Sequence, residues 1–531
     1  MDCRGRVQLA RDTRRMDQHL KPIEPSQRDH PLNLRRLFPV TTVALLLAIC
    51  PALSGAQTAT AQQPEAPPAR PAVHSHRPVV RDTAALDPAL CASCVQNNLA
   101  YLAGPALHGR GSGTEDEHRA AQFIAGKLKL YGLAPAAGNG QFIQTGTMRS
   151  REVIGNPTLM VDAKAAGGAK PLVLTHGKQI VMAGLSEPML TAPLQKLDLN
   201  DERTSPGDVT NGAAVLVKLK PGTSMEEARS VLEPYRAGKA ALVIIESSTG
   251  AQGMFDMLAK HPPQMPQQIG DAAPKARAVL VLAKQEAFEQ LWSVASGSTI
   301  KLQAQITPWK TTHTWNVLGK IEGADEKEQI ILLSAHLDHL GIEGGKTYYG
   351  ADDDASGTVA VMELARVLAK EPKPKRTIVV ALWGSEELGM VGSRYFLSNP
   401  TFELNRIVAN LEFEMIGRPD PKAKSDELWL TGWDRTNLGP QLAQHGAKLV
   451  ADPHPNEKFF TRSDNYAMAK QGIIAQTVSS FGLHKDYHQP TDTFDKIDLQ
   501  HMDRAIASMI GPVTWLANSE FKPEWIEGKK P

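Results

Sequence analysis

Residues 329–338 read Gln329-Ile330-Ile331-Leu332-Leu333-Ser334-Ala335-His336-Leu337-Asp338, and this stretch decides the fold. The run Gln329–Ala335 is nearly continuous in apolar residues and lacks period-two alternation. It therefore predicts a strand buried on both faces, as in the middle of a parallel sheet. Thr377–Trp383 repeats the pattern, and Ile407–Met415 predicts a third strand. Between the first two, Gly357–Lys370 places Val361, Leu364, Ala365 and Leu368 on one helical face, with Glu363, Arg366 and Lys370 opposite. Arg394–Leu397 predicts a short helix. Strands alternating with helices predict an α/β fold, with a mixed, mostly parallel sheet flanked by helices.

Working outward, the apolar residues of Val95–Leu133 recur at helical spacing and stop at Gly132. Between about residues 151 and 310 the character changes. Short β-rich runs (Pro157–Val161, Pro171–Thr175, Ala213–Lys218, Ala240–Glu246, Ala278–Ala283) alternate with Gly, Pro and Ser turns. This reads as a β-rich module inserted between residues 86–150 and 311–520 of one α/β domain, with residues 521–531 as a tail.

The chain has 531 residues, 42% hydrophobic and 22% charged, which excludes a disordered, collagen-like or coiled-coil protein. Its formal net charge of +1 gives no electrostatic case for nucleic acid. Residues 1–36 are polar and basic, Leu37–Leu53 is apolar, and small residues follow through Ala61. That order describes a secretory signal peptide. The apolar stretch contains Pro39 and Pro51 and is shorter than the ~20 residues of a membrane span. Residues 1–61 are therefore expected to be removed, giving a periplasmic or secreted protein with no stable membrane span. Residues 62–85, rich in Ala, Pro and Gln, read as a linker. Cys91 and Cys94 are the cysteines left, and in an exported protein they predict a local disulfide.

Sites in open α/β sheets form beyond the carboxyl ends of the strands. Here those ends carry Ser334–His339, Trp383-Gly384-Ser385-Glu386-Glu387 and Glu412-Phe413-Glu414-Met415. The loop Gly350-Ala351-Asp352-Asp353-Asp354-Ala355-Ser356-Gly357 precedes the helix, and Tyr487-His488-Gln489-Pro490-Thr491-Asp492-Thr493 lies near the C-terminus. Singly, each has a plain reading: acids at a helix N-terminus, a solvated Glu pair, a core histidine. Glu412 and Glu414, at i and i+2, are expected on one face of a buried strand. Carboxylates buried without compensation cost several kcal/mol, so a cation is expected near them. Together the acids and histidines need a divalent metal. Mixed His and carboxylate donors without thiolate point to zinc, with manganese or cobalt as alternatives.

These residues resemble the M28 zinc aminopeptidases over roughly residues 95–145 and 312–515. The matching motifs are H-x-D, G-A-D-D-D-A-S-G, S-E-E-L-G, E-M-I-G and Y-H-x-P-x-D-T. Leu107–Thr114 (L-H-G-R-G-S-G-T) looks like the family's opening motif. The insert resembles a protease-associated (PA) domain by its position and by Ala237–Ser247. The resemblance implies a zinc-exopeptidase-like fold acting on peptide substrates with two zinc ions per chain. It implies His336 and Glu414 on one ion, Glu387 and His488 on the other, and Asp353 bridging both. Asp338 would support His336, Glu386 would be the general base on the water bridging the metals, and Tyr487 would steady the oxyanion. The family often has Asp where Glu414 stands, which leaves Glu412 as a second candidate. Alternatives on the same fold are a metallo-carboxypeptidase and a glutaminyl cyclase, the latter working with one zinc. A non-catalytic binding module would lack ligands or the base, and all are present here.

Overall fold

The computed structural model describes residues 87–162, 170–201, 209–247, 252–271, 277–424 and 426–531. The expected leader and linker lie outside the described residues. The sheet that carries the site contains β1 (Ile143–Ser150), β2 (Lys310–Ile321), β3 (Glu326–His336), β4 (Arg376–Trp383), β5 (Ile407–Phe413), β6 (Leu428–Leu430), β7 (Leu449–Ala451) and β8 (Ala475–Ser479). Their spatial order is β7-β6-β8-β5-β3-β4-β2-β1. The central strands β4, β3, β5 and β8 run parallel, while β2 and β1 add antiparallel strands on one side. The register pairs His336 with Trp383 and Ser334 with Glu412, so the parallel strands release their chemistry-bearing residues at one edge.

The apolar run of β3 is explained by what covers it. Ile331, Leu333 and Ala335 face a core shared with helices α1 (Ala92–Leu102), α2 (Glu115–Leu130), α3 (Gly357–Leu368) and α5 (Leu499–Asn518). Ile330 and Leu332 face the opposite core, with Trp383, Met468, and Phe396 of α4 (Val391–Ser398). Both faces are dry, so alternation is absent.

Several expectations need correction. The helical stretch Val95–Leu133 is two helices, α1 and α2, separated by the segment that contains Leu107–Thr114. The polar face of α3 is not solvated. Glu363 and Arg366 are buried and paired, and they bond to Cys91 N (2.6 Å) and Ala89 O (2.5 Å) at the start of α1. Covering that face removes it from water, and the ion pair supplies the compensation that burial demands. The third strand ends at Phe413, not Met415. Cys91 and Cys94 form the expected disulfide.

The insert is less purely β than expected. Its eight-stranded sheet has a parallel centre of Met189–Asp198, Ala214–Lys218, Leu242–Glu246 and Val279–Ala283. Helices Met225–Ala237 and Gln285–Ser293 accompany it. Apolar residues on both sheet faces form separate cores, which is why these strands read as short continuous runs. Gln268–Ile269 returns to pair with β1 at Met148, tying the insert region to the main sheet. Among the described residues, no helix is long and apolar enough to cross a membrane.

Candidate metal centre

β3 delivers His336 at its last position and Asp338 two residues on; both side chains are buried. Asp338 links three segments. It accepts from Ser112 Oγ (2.5 Å), from Glu386 N (2.9 Å) and from Glu387 N (3.4 Å), and its Oδ1 lies 3.6 Å from His336 Nδ1. One carboxylate thereby sets the imidazole of His336 and the turn after β4 that holds the Glu pair.

The three consecutive aspartates have separate tasks. Asp352 accepts from Gly417 N (2.8 Å) and faces His484 Nε2 (2.8 Å). Asp354 accepts from Gly357 N (3.0 Å), Met415 N (3.0 Å) and His336 N (3.3 Å). The loop backbone is held by Asp492, which accepts from Asp352 N and Asp353 N at 3.1 Å. The side chain of Asp353 instead faces histidines. Its Oδ1 is 3.2 Å from His336 Nε2, while its Oδ2 is 3.2 Å from His488 Nε2 and 3.9 Å from His339 Nδ1. Ser385, Met415 and His488 all have left-handed backbone, with φ of 50°, 52° and 51°. Such conformations are uncommon for residues with a Cβ and cluster at functional turns.

Two groups of donor atoms converge within 4.8 Å: His336, Asp353 and Glu414, and His339, Asp353 and Glu387. His488 Nε2 joins the second, 3.2 Å from Glu387 Oε2. Glu412 and Glu414 do not share a face, because the strand ends between them. Glu412 turns away to accept from Ser463 Oγ (3.1 Å) and Asn465 N, whereas Glu414 lies with His336 and Asp353.

The donor set fits a divalent cation. The ring nitrogens of His336 and His339 and the Oε1 of Glu387 are buried without a hydrogen-bond partner, although several lie close to one another. Burial and Asp353 would raise the Glu387 carboxyl, but the imidazoles of His339 and His488 outweigh them and lower it to about 2. Burial would lower His488, yet Asp353 and Glu387 hold it up at about 10. Glu386 is half-buried, and its carboxyl is pushed well above the usual range by burial and by Asp464, Glu387 and Glu414, against the pull of His336.

Tyr487 stacks on His488 with ring centroids 3.9 Å apart. It lines a pocket of about 390 Å³ with Glu414, Met415, Trp429, Phe459 and Phe481. A cleft of about 1560 Å³ reaches Glu387 and runs past Ser112, Met148, Arg151, Pro263 and Lys310.

Three residues escaped the sequence reading. Asp492 is the acid of Y-H-x-P-x-D-T, and the motif alone assigns it no task. His339 is the third titratable residue in His336–His339, yet it stands beyond the strand, where alternation no longer tells direction. Arg110 is fully buried, and its guanidinium donates to Leu337 O (2.8 Å), Leu102 O (2.6 Å), Tyr349 O (2.7 Å) and Gly350 O (2.9 Å). It straps the β3 end to the aspartate loop.

Residues 316–511 match the model of peptidase family M28. That stretch of the chain is similar to this family. The chain is 27% identical over 233 residues to leucine aminopeptidase 2 of Arthroderma otae, an alignment covering 39% of this chain and 45% of that relative. It therefore spans less than half the length of that relative. Aminopeptidase YwaD of Bacillus subtilis is 24% identical over 353 residues, covering 65% of this chain and 71% of YwaD. Among solved structures, the aminopeptidase from Aneurinibacillus sp. strain AM-1 is similar with a TM-score of 0.48 and 19% identity, covering 81% of this chain and 94% of that one.

Proposed function

We propose that this protein is an exported aminopeptidase that holds two zinc ions and removes N-terminal residues from peptides. The observation that carries the reading is the split of Asp353. One carboxylate oxygen faces His336 and the other faces His488 and His339, as a bridging ligand requires. His336 and Glu414 would hold one ion, and Glu387 and His488 the other. When bound, the ions supply Lewis-acid polarisation of the scissile carbonyl and a water acidic enough to react near neutral pH.

The chain's own residues do the rest. Glu386 takes the proton of the attacking water and returns it to the leaving amine. The base role falls to Glu386 because Glu387 is the one of the pair that stands among the converging donor atoms, while the N–H groups of both are anchored on Asp338. Tyr487, which stacks on His488 and lines the pocket with Glu414, would steady the carbonyl oxygen as it gains charge. The walls of Met415, Trp429, Phe459 and Phe481 suit an apolar first side chain. The relatives whose printed names call them leucine aminopeptidases support the same choice. The cleft bounded by Pro263 of the PA-like insert gives room for the rest of the peptide. Export rests on the order of basic, apolar and small residues in 1–61.

The test compares release of free amino acids from unblocked and N-acetylated peptides, with metal content measured on the same sample. Release from unblocked peptides alone supports the reading. Equal cleavage of both contradicts it, and full activity with one zinc favours a cyclase-like site.

A further inference from the structure

His339 receives no role from the family resemblance, yet it is built into the site. It is 0% exposed. Its backbone is fixed from both sides, its N–H donating to Arg110 O (3.1 Å) and its carbonyl accepting from Ser112 N (3.1 Å). Its ring fills the space that Gly350 leaves: a Cβ on that glycine would stand 2.4 Å from His339 Cγ. Gly350 also has a φ of +56°, so the loop conformation and the room for the ring both depend on it.

The ring is aimed at the acids. His339 Nδ1 lies 2.8 Å from Glu387 Oε1 and 3.9 Å from Asp353 Oδ2. Despite the first distance, neither Nδ1 nor Oε1 makes an aligned hydrogen bond. Donor atoms of His339, Glu387 and Asp353 all lie within 4.8 Å of one another, close enough to share one ion. Four donors arranged tetrahedrally at about 2.0–2.1 Å from a zinc ion lie roughly 3.3 Å apart. The His339 separations bracket that value. His488 Nε2, at 3.2 Å from both Asp353 Oδ2 and Glu387 Oε2, agrees with it.

We propose that His339 is a further protein ligand of the metal held by Asp353, Glu387 and His488. This rests on the two-metal reading above. The His339 site then has four protein donors and the His336 site three. Four protein donors hold an ion more tightly than three, and the set of three keeps the more open position. The His339 site should therefore fill first, and the His336 site should be the one with a position left for substrate.

Zinc binding to the full chain, measured by chelator competition on wild type and His339→Ala, gives the first readout. A residue that merely supports a ligand changes affinity about 10–100-fold; loss of a ligand is expected to weaken one of two equivalents more than ~100-fold and leave the other unchanged. The deciding readout is cobalt-substituted His339→Cys. A thiolate bonds at about 2.3 Å, which offsets part of its shorter reach. It should give a thiolate-to-cobalt charge-transfer band that a residue of purely structural importance cannot give.

The band together with the loss in His339→Ala supports the assignment. If His339→Ala does not fold, the band in His339→Cys decides alone. Absence of the band in a folded, cobalt-loaded His339→Cys overturns it, as does a His339→Ala protein that keeps both equivalents within about 3-fold of wild type. A wild-type chain that binds one equivalent overturns the two-metal reading instead, and the band then shows whether His339 ligates that single ion.

Discussion

Replacing Arg110 with Met should strongly destabilise the metal-free protein while damaging the zinc-loaded one less. The guanidinium makes four hydrogen bonds to backbone carbonyls, to Leu102, Leu337, Tyr349 and Gly350. Methionine fills much of the same volume, so the cost comes chiefly from the acceptors. At about 1 kcal/mol for each carbonyl left without a partner, the loss is about 4 kcal/mol, against a total stability of about 5–15 kcal/mol. Arg110 is also the buried cation facing Asp338, Asp354, Asp492 and Asp353. Without it those carboxylates lose counter-charge, and bound zinc restores part of it. Urea unfolding of metal-free and zinc-loaded protein measures both effects. Arg110→Lys, which keeps the charge but loses the planar fork, should fall between wild type and Arg110→Met. A loss below about 1 kcal/mol in the metal-free protein would refute the reasoning, because the four bonds would then carry no net stabilisation.

Glu386→Gln keeps the side chain's shape but cannot accept a proton, so kcat should fall about 10²–10⁴-fold with zinc content unchanged. Glu387→Gln should instead weaken one metal site, with added zinc restoring part of the rate. Atomic absorption alongside kcat separates them, and metal loss in Glu386→Gln would reverse the roles. Glu414→Ala should lower occupancy of one zinc, whereas Glu412→Ala should keep both, since Glu412 bonds Ser463 and Asn465; metal analysis of the two variants decides. Replacing Cys91 and Cys94 with Ser opens a loop of sequence separation 3. Loop-closure entropy puts the loss at no more than about 2 kcal/mol, read by urea unfolding, with zinc content unaffected.

The centre of the fold was legible because β3 and β4 are covered on both faces, and a strand in that position leaves a continuous apolar run in the sequence. The site was legible as a set of residue types at strand ends. What the sequence hid is direction. Among Asp352, Asp353 and Asp354, only the folded loop shows that the outer two face backbone N–H groups and His484 while the middle one faces His336, His339 and His488. Alternation suggested that Glu412 and Glu414 share a face, but it fails because β5 stops at Phe413 and Met415 takes a left-handed backbone. The sequence puts Glu363 and Arg366 opposite the apolar face of α3 but cannot show that the start of α1 lies over them. The helices of the insert were missed for a related reason: Met225–Ala237 contains Pro234, which reads as a break when its neighbours are unknown.

The central claim is a pair of metals sharing Asp353, and a zinc titration of the metal-free chain tests it most directly. Zinc is added stepwise while release of leucine from an unblocked peptide is followed. The account predicts that bound metal saturates at about two equivalents per chain and that the rate reaches its maximum only as the second equivalent binds. Full activity at one equivalent, with no second binding event, would contradict it.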